Sequence, residues 1–431
     1  MSTPATPTPK RPAAKRPQGL RLGQTATGRF FGRHQSFSII VAMSIVTAVL
    51  PLIVLAPGIK SFGTQNDFVD GFAQAGVWVL LAIGLNIVVG LAGLLDLGYA
   101  AFFAIGAYTY AYGASPFSHN HVAFWLMLLV GAAVAATAGL LLGAPTLRLR
   151  GDYLAIVTLG FGEIVPVVFR NSDTYTNGTN GITALYQPSL PQQGPLFFLP
   201  SLSFMPNFAS WVPNLPGMPK FGLFAGSFGF GNPWPYYLTV AAIIALTMIL
   251  AYRLQDSRLG RAWMAIREDE LAAASMGINT VTTKLLAFAL GASTSGLAGV
   301  YLSSKLSIVS PTQFGFTVSF TVLAMVVLGG MGNIWGVAAG AFVIYEIQSQ
   351  GLKQLNLLWY HQANAPSFHL PIVNIDLSTV NFLDYQYLLY GLALVSMMLL
   401  RPEGLFPSRR RRAELHDIED AGASNQELVE A

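Results

Sequence analysis

The stretch DGFAQAGVWVLLAIGLNIVVGLAGLLDLGYAAFFAIGAYTYAYGA, residues 70–114, has no charged side chain between Asp70 and Asp96 and none from Leu97 to Ala114. As a single helix, residues 69–114 would run about 70 Å at a rise of ~1.5 Å per residue. That is more than twice the roughly 30 Å of a bilayer's hydrocarbon core, so the stretch must fold back as two spans. Composition extends this reading to the whole chain. Of 431 residues, 53% are hydrophobic and 10% charged, with a mean hydropathy of +0.52. A globule of this size has no place to bury so much apolar surface, and the sequence predicts an all-α polytopic membrane protein.

Ten apolar segments have the length a span needs, roughly 20 residues with about 17 to 25 as the usual range. They are 37–56, 69–90, 97–114, 122–144, 153–169, 235–252, 285–304, 316–331, 333–350 and 385–400. Very short turns separate 97–114 from 122–144 and 316–331 from 333–350, which implies adjacent antiparallel helices. Lys and Arg then set the orientation. With the N-terminus cytoplasmic, 19 of the 24 basic residues fall inside, and five (Lys60, Arg170, Lys220, Lys305 and Lys353) fall outside. Ten spans also return the run Arg409–Arg412 to the side of the basic N-terminal segment, so both termini are expected in the cytoplasm. The organisation read this way is a disordered basic tail (1–35), a transmembrane domain (36–407) and a cytoplasmic tail (408–431). The domain carries a Pro-rich external insert at 170–234, a cytoplasmic segment at 253–285 and a second external loop at 351–384.

Catalytic signatures are missing from the sequence. There is no G-x-x-x-x-G-K-[ST] phosphate loop, no H-E-x-x-H and no G-x-S-x-G, so no enzymatic activity of these kinds is expected. The absence of cysteine excludes disulfides and thiolate metal sites. His119 and His121 have no third ligand nearby and are not expected to hold a metal.

Charge is concentrated in the cytoplasmic segment. Between Arg258 and Gly277, Ala262, Trp263, Ile266, Leu271, Ala274 and Met276 alternate with Arg261, Arg267, Glu268, Asp269 and Glu270 in an amphipathic pattern. This predicts one or two short helices lying at the cytoplasmic face and ended by Gly277 as a C-cap. Composition alone leaves two uses open, an ordinary interfacial loop or a docking surface.

The same segment, GRAWMAIREDELAAASMGIN (260–279), resembles the coupling loop of ATP-binding-cassette importer permeases, in which a Glu, small residues and a Gly dock a short helix into a groove of the ATPase. Glu270, Ala272, Ala273 and Gly277 match in kind, although the Glu-to-Gly spacing is one residue longer than the usual E-A-A-x-x-x-G. Five blocks in order, GLNIVVGLAGLLDLGYAAFFAIGAY (84–108), LRGDYLAIVTLGFGEIV (149–165), KLLAFALGASTSGLAGVYL (284–302), LAMVVLGGMGNIWGVAAGA (323–341) and LLRPEGLFP (399–407), resemble the LivM-type permease of the bacterial branched-chain amino-acid importer. The resemblance implies that Arg261, Arg267, Glu268, Asp269, Glu270, Ala273 and Gly277 couple to the ATPase. It also implies a second, LivH-like permease, two cytoplasmic LivG/LivF-like ATPases that use ATP and Mg, a secreted binding protein, and the inner (plasma) membrane of a bacterium. No cofactor on this chain and no nucleic-acid partner are implied. Leu, Ile and Val are the implied substrates, with urea or another small polar solute as the alternative within the family. An ion-coupled secondary transporter would need an intramembrane ionisable relay, which Glu163 alone does not supply.

The translocation path is expected near the break between the second and third spans, at Asn86, Gly90, Gly93 and Asp96, since broken backbone at membrane depth points to a route. Close helix packing is the competing account of the same residues. Glu163 lies mid-span between Phe161 and Pro166, where an unpartnered carboxylate costs roughly 2.5 kcal/mol or more. It is therefore expected buried in the bundle with hydrogen-bond partners, in a structural, gating or substrate-contacting role. Glu346, near an external end, is expected in water. Gly139 with Gly143, and Gly332, Gly336 and Gly340, are expected at helix contacts. Gly277→Val and Glu270→Arg are expected to uncouple transport while leaving the membrane domain folded.

Overall fold

The computed structural model describes residues 65–146, 152–183, 185–186 and 233–351, with residue 46 and scattered positions between 369 and 399. The predicted tails 1–35 and 408–431 and most of the segments 37–56, 187–232, 352–384 and 385–400 lie outside the described residues.

The described chain is a bundle of helices, as an apolar backbone in lipid must be, because only internal pairing satisfies its N–H and C=O groups. Helix α1 (Gln65–Leu85) continues as a π-helical turn over Asn86–Leu91. There follow α2 (Tyr99–Gly113), α3 (Phe124–Thr146), α4 (Asp152–Asn171) and α5 (Trp234–Gln255). Two short helices, α6 (Arg258–Glu268) and α7 (Glu270–Ser275), lead into α8 (Thr280–Leu306), α9 (Phe316–Gly329) and α10 (Ile334–Glu346). Among the described residues six segments are long and apolar enough to cross a membrane: 67–91, 124–145, 153–171, 234–255, 280–306 and 311–329. They coincide with six of the predicted spans, while α2 and α10, which match two more, are 15 and 13 residues long.

Helices α1 and α8 form the centre. Helix α8 packs on α1, α2 and α3, and α1 is also in contact with α5, α9 and α10. The apolar window of α1 is 89% buried and that of α8 67%, against 33% for α3 and 28% for α4, which places the last two at the rim. Small residues let α8 sit there. A Cβ on Gly296 would lie 2.6 Å from both Ala135 Cβ and the Gly131 carbonyl oxygen of α3. Lipid tails are as apolar as leucine, so such close backbone contact is what holds membrane helices together. A two-residue antiparallel pairing, β1 (Ile182–Thr183) with β2 (Ile308–Val309), ties the segment after α4 to the end of α8.

Helix α9 begins where the expected span 316–331 does. Its 14 residues amount to about 21 Å, short of a bilayer. It is preceded by a 3₁₀ turn, Pro311–Phe314, and by Gly315 in an extended conformation.

Candidate functional site

The segment 253–285 folds as two capped helices. Ser257 Oγ accepts from the Gly260 amide at the start of α6, and the Asp269 carboxylate accepts from the Leu271 and Ala272 amides at the start of α7. At its far end α7 closes with Gly277 N–H to Ala274 O and Ile278 N–H to Ala273 O, and Gly277 has φ of +85°. That left-handed conformation is one a side chain disfavours, so glycine is required for this closure.

The two helices differ in what they bury. Trp263 of α6 is fully enclosed and its Nε1–H donates to Thr283 O at 2.6 Å, with Ile266 buried beside it. On α7 only Ala273 is buried, while Leu271 is 67% and Met276 84% exposed, and Ala274 is exposed as well. The sequence pattern placed these residues on one face with Trp263. They part because Asp269 takes an extended conformation (φ −153°, ψ 112°) that breaks the helix and turns α7 away.

The charges in this segment are largely used within the chain. Arg267 Nη1 donates to Gly90 O at 2.7 Å, and its aliphatic stem covers Gly93, where a Cβ would lie 2.7 Å from Arg267 Cγ. Glu270 pairs with Lys284 at 2.6 Å, and the Lys284 side chain is only 7% exposed. Arg261 Nη1 donates to Asp256 O at 2.8 Å, and Glu268 is exposed. The expectation that Glu270→Arg leaves the membrane domain intact is therefore corrected: it would set a second cation against a buried ammonium. Sequence reading missed Lys284, whose signal was a cation 14 residues after Glu270 at the mouth of an apolar span.

Most of the predicted path residues are packed. Asn86 is 1% exposed and its Oδ1 accepts from the Gly332 amide at 2.8 Å. Gly90 is buried against the same turn, with room for no side chain: a Cβ would come 2.7 Å from Gly332 N. Asp96, also 1% exposed, accepts from Gly98 N–H at 2.9 Å and borders a small cavity with Thr158, Phe102, Phe161 and Phe288. Gly93 is exposed and stands under Arg267.

Glu163 departs from expectation. It is exposed at the rim of the bundle, and its Oε1 accepts from the Phe316 amide, the first of α9, at 3.1 Å. The reason is one residue of helix rotation. Gly162 is the position that faces inward, where a Cβ would lie 2.9 Å from Gly98 Cα, and Glu163 therefore points out. Glu346 departs the other way: it is half-buried, with α1 covering it at Gly71. Of the glycines, Gly139 and Gly143 abut Ala292 and Leu285 of α8, and Gly336 and Gly340 abut Gly329 of α9. Gly332 instead occupies the turn before α10, with φ of +84°, and so is not on a helix face.

Three comparisons bear on this geometry. The family model described as branched-chain amino acid transport system / permease component matches residues 68–398. The chain is 37% identical over 376 residues, 86% of its length and 76% of the relative's, to the high-affinity branched-chain amino acid transport system permease protein LivM of Escherichia coli (strain K12). It is 36% identical over 360 residues, 82% and 73% of the two chains, to the LivM protein of Salmonella typhimurium (strain LT2). To the permease protein LivH of Escherichia coli (strain K12) it is 26% identical over 280 residues, 64% of this chain and 82% of the relative. No solved structure matches the chain.

Proposed function

Because this chain belongs to the branched-chain amino acid transport permease family, we propose that it is a membrane-spanning subunit of an ATP-driven importer carrying leucine, isoleucine or valine into the cytoplasm. Its partners in this reading are a second, LivH-like permease, two cytoplasmic ATPases and a secreted binding protein. Similarity to both LivM and LivH supports the first of these. Ten spans with cytoplasmic termini in a bacterial inner membrane agree with the 19-to-5 division of basic residues.

The observation that carries the reading is α7. It is closed at both ends, anchored through Ala273, Lys284 and Arg267, and it offers Leu271 and Met276 to another molecule. A helix held this way fits a groove of an ATPase. Closure of the ATPases on ATP would push α7, and the push would enter α8 through Glu270–Lys284 and α1 through Arg267–Gly90. This chain itself needs no nucleotide.

The test uses two residues whose side chains are largely exposed. Leu271→Asp with Met276→Asp, in the complete importer, is expected to leave insertion and yield unchanged. Co-purification of the ATPases and uptake of labelled leucine should both be lost. Wild-type uptake by the double variant, with the ATPases still bound, would remove α7 as the coupling element.

A further inference from the structure

The outward face of α4 combines two features that lipid does not tolerate. The first is Glu163. It lies 11 residues from Asp152 and eight from Asn171, about 17 and 12 Å along the helix. That is close to the middle of the membrane, and the side chain is exposed there. Its neighbours on the same face, Ile156, Gly160, Ile164, Val167 and Val168, are exposed too. The second is backbone. The Phe316 N–H to Glu163 bond fixes the start of α9 at this same depth, directly after a 3₁₀ turn and the extended Gly315. Gly315 has no side chain to cap α9, so the Glu163 carboxylate takes the cap's place across the surface. Thr312, Phe316 and Thr317 of the broken stretch are exposed beside it. An ionisable side chain and irregular backbone both survive at membrane depth only against protein or a water-filled cavity.

We propose that the strip formed by α4 residues 156–168 and the start of α9 faces the second permease subunit across the translocation path, with Glu163 as the polar group that this chain presents at mid-depth. The inference rests on the reading of the chain as one of two paired permeases. The occupant follows from the relatives, which are of two kinds, LivM and LivH, both similar to this chain. A partner of the same fold would bring a helix rim of similar length to meet the strip. A discontinuous helix that begins at the midplane is also the form in which transporters expose backbone dipoles to a polar solute. The gap between two such rims suits a zwitterion: Glu163 Oε1 is held by the α9 amide, which leaves the other carboxylate oxygen for a passing ammonium group.

The absence of native cysteine makes the test direct. Ile164→Cys and Val168→Cys, with Gly160→Cys as a third site where a new Cβ meets nothing within 4 Å, are introduced singly into the complete importer. Val134→Cys, at the middle of the outward face of α3, is the control. Leucine uptake by the cysteine-free importer is measured first, and its loss would count against the proposed function alone. Two readouts then bear on the strip: reaction with a charged methanethiosulfonate, and cross-linking from a benzophenone attached to the cysteine. The expected result is reaction at the α4 sites at least tenfold faster than at Val134→Cys, and cross-links from α4 to the second permease. Equal reaction rates on the two helices would overturn the proposal. So would α4 cross-links confined to lipid or to this chain's own segments 37–56 and 385–400.

Discussion

Helices α3 and α4 are both rim helices, 33% and 28% buried over their apolar windows, yet their outward faces differ in kind. On α3 the exposed residues include Leu126, Leu129, Val130, Val134 and Leu141, and the helix carries no charge. Its one exposed hydroxyl of note, Thr137, is satisfied by Val134 O within the helix. On α4 an equally exposed apolar strip surrounds Glu163. Exposure therefore does not identify what covers a membrane helix; the chemistry at a given depth does. The α3 face is matched to acyl chains, and the α4 face is matched to protein and water.

The largest effect that separates the two faces is a charge placed on α3. Val134→Lys, at the middle of α3, should lower the stability or insertion of the assembled importer by about 2.5–3.5 kcal/mol, the cost of a basic side chain near a bilayer centre. Val167→Lys, one turn beyond Glu163 on the same face of α4, should lose less than about 1 kcal/mol, since the carboxylate is within reach at i, i+4 and the face is not lipid-covered. Thermal unfolding of the purified assembly measures both, and similar losses would erase the distinction. A smaller effect sharpens the role of Glu163. Glu163→Ala strips the Phe316 amide of its acceptor and should cost about 1–2 kcal/mol, whereas Glu163→Gln keeps an acceptor oxygen and should cost less than half of that. Uptake should fall in both, which separates the charge from the cap. Stability of Glu163→Ala equal to that of the parent would show that α9 needs no cap from α4. The smallest effect belongs to α3 again: Thr137→Ala should stay within about 0.5 kcal/mol of the parent, because the hydroxyl serves only its own helix turn.

The positions of the spans were legible in the sequence because helices in lipid need long uncharged runs whatever lies beside them. The segment 69–90 appears as α1 with its π turn, 122–144 as α3 and 285–304 as α8. Faces were not legible for the same reason. With lipid and helix interior equally apolar, periodicity does not report which side of α4 is enclosed, and Glu163 was assigned inward when Gly162 holds that position. The segment 253–285 shows the same limit. Its two helices and the Gly277 closure followed from residue type, but the contacts of Arg267 and Glu270 are with Gly90 and Lys284, 177 and 14 residues away. A pattern of charge on one short helix does not encode where its partners come from. The start of α9 was legible as well: the expected span 316–331 opens at Phe316, directly after a turn that contains Thr312 and Gln313.

The capping of α7 has a thermodynamic consequence. An isolated helix in water holds only beyond roughly 12–15 residues, and α7 has six. Asp269 at one end and the Gly277 closure at the other supply the order that its length does not. The conformational entropy of this helix is thus surrendered once, when the chain folds, and not again at each encounter. A molecule that binds Leu271 and Met276 meets a rigid surface and keeps more of the contact free energy as affinity. The same rigidity sets a mechanical limit: a displacement of α7 has little slack in which to dissipate before it reaches Lys284 and Gly90.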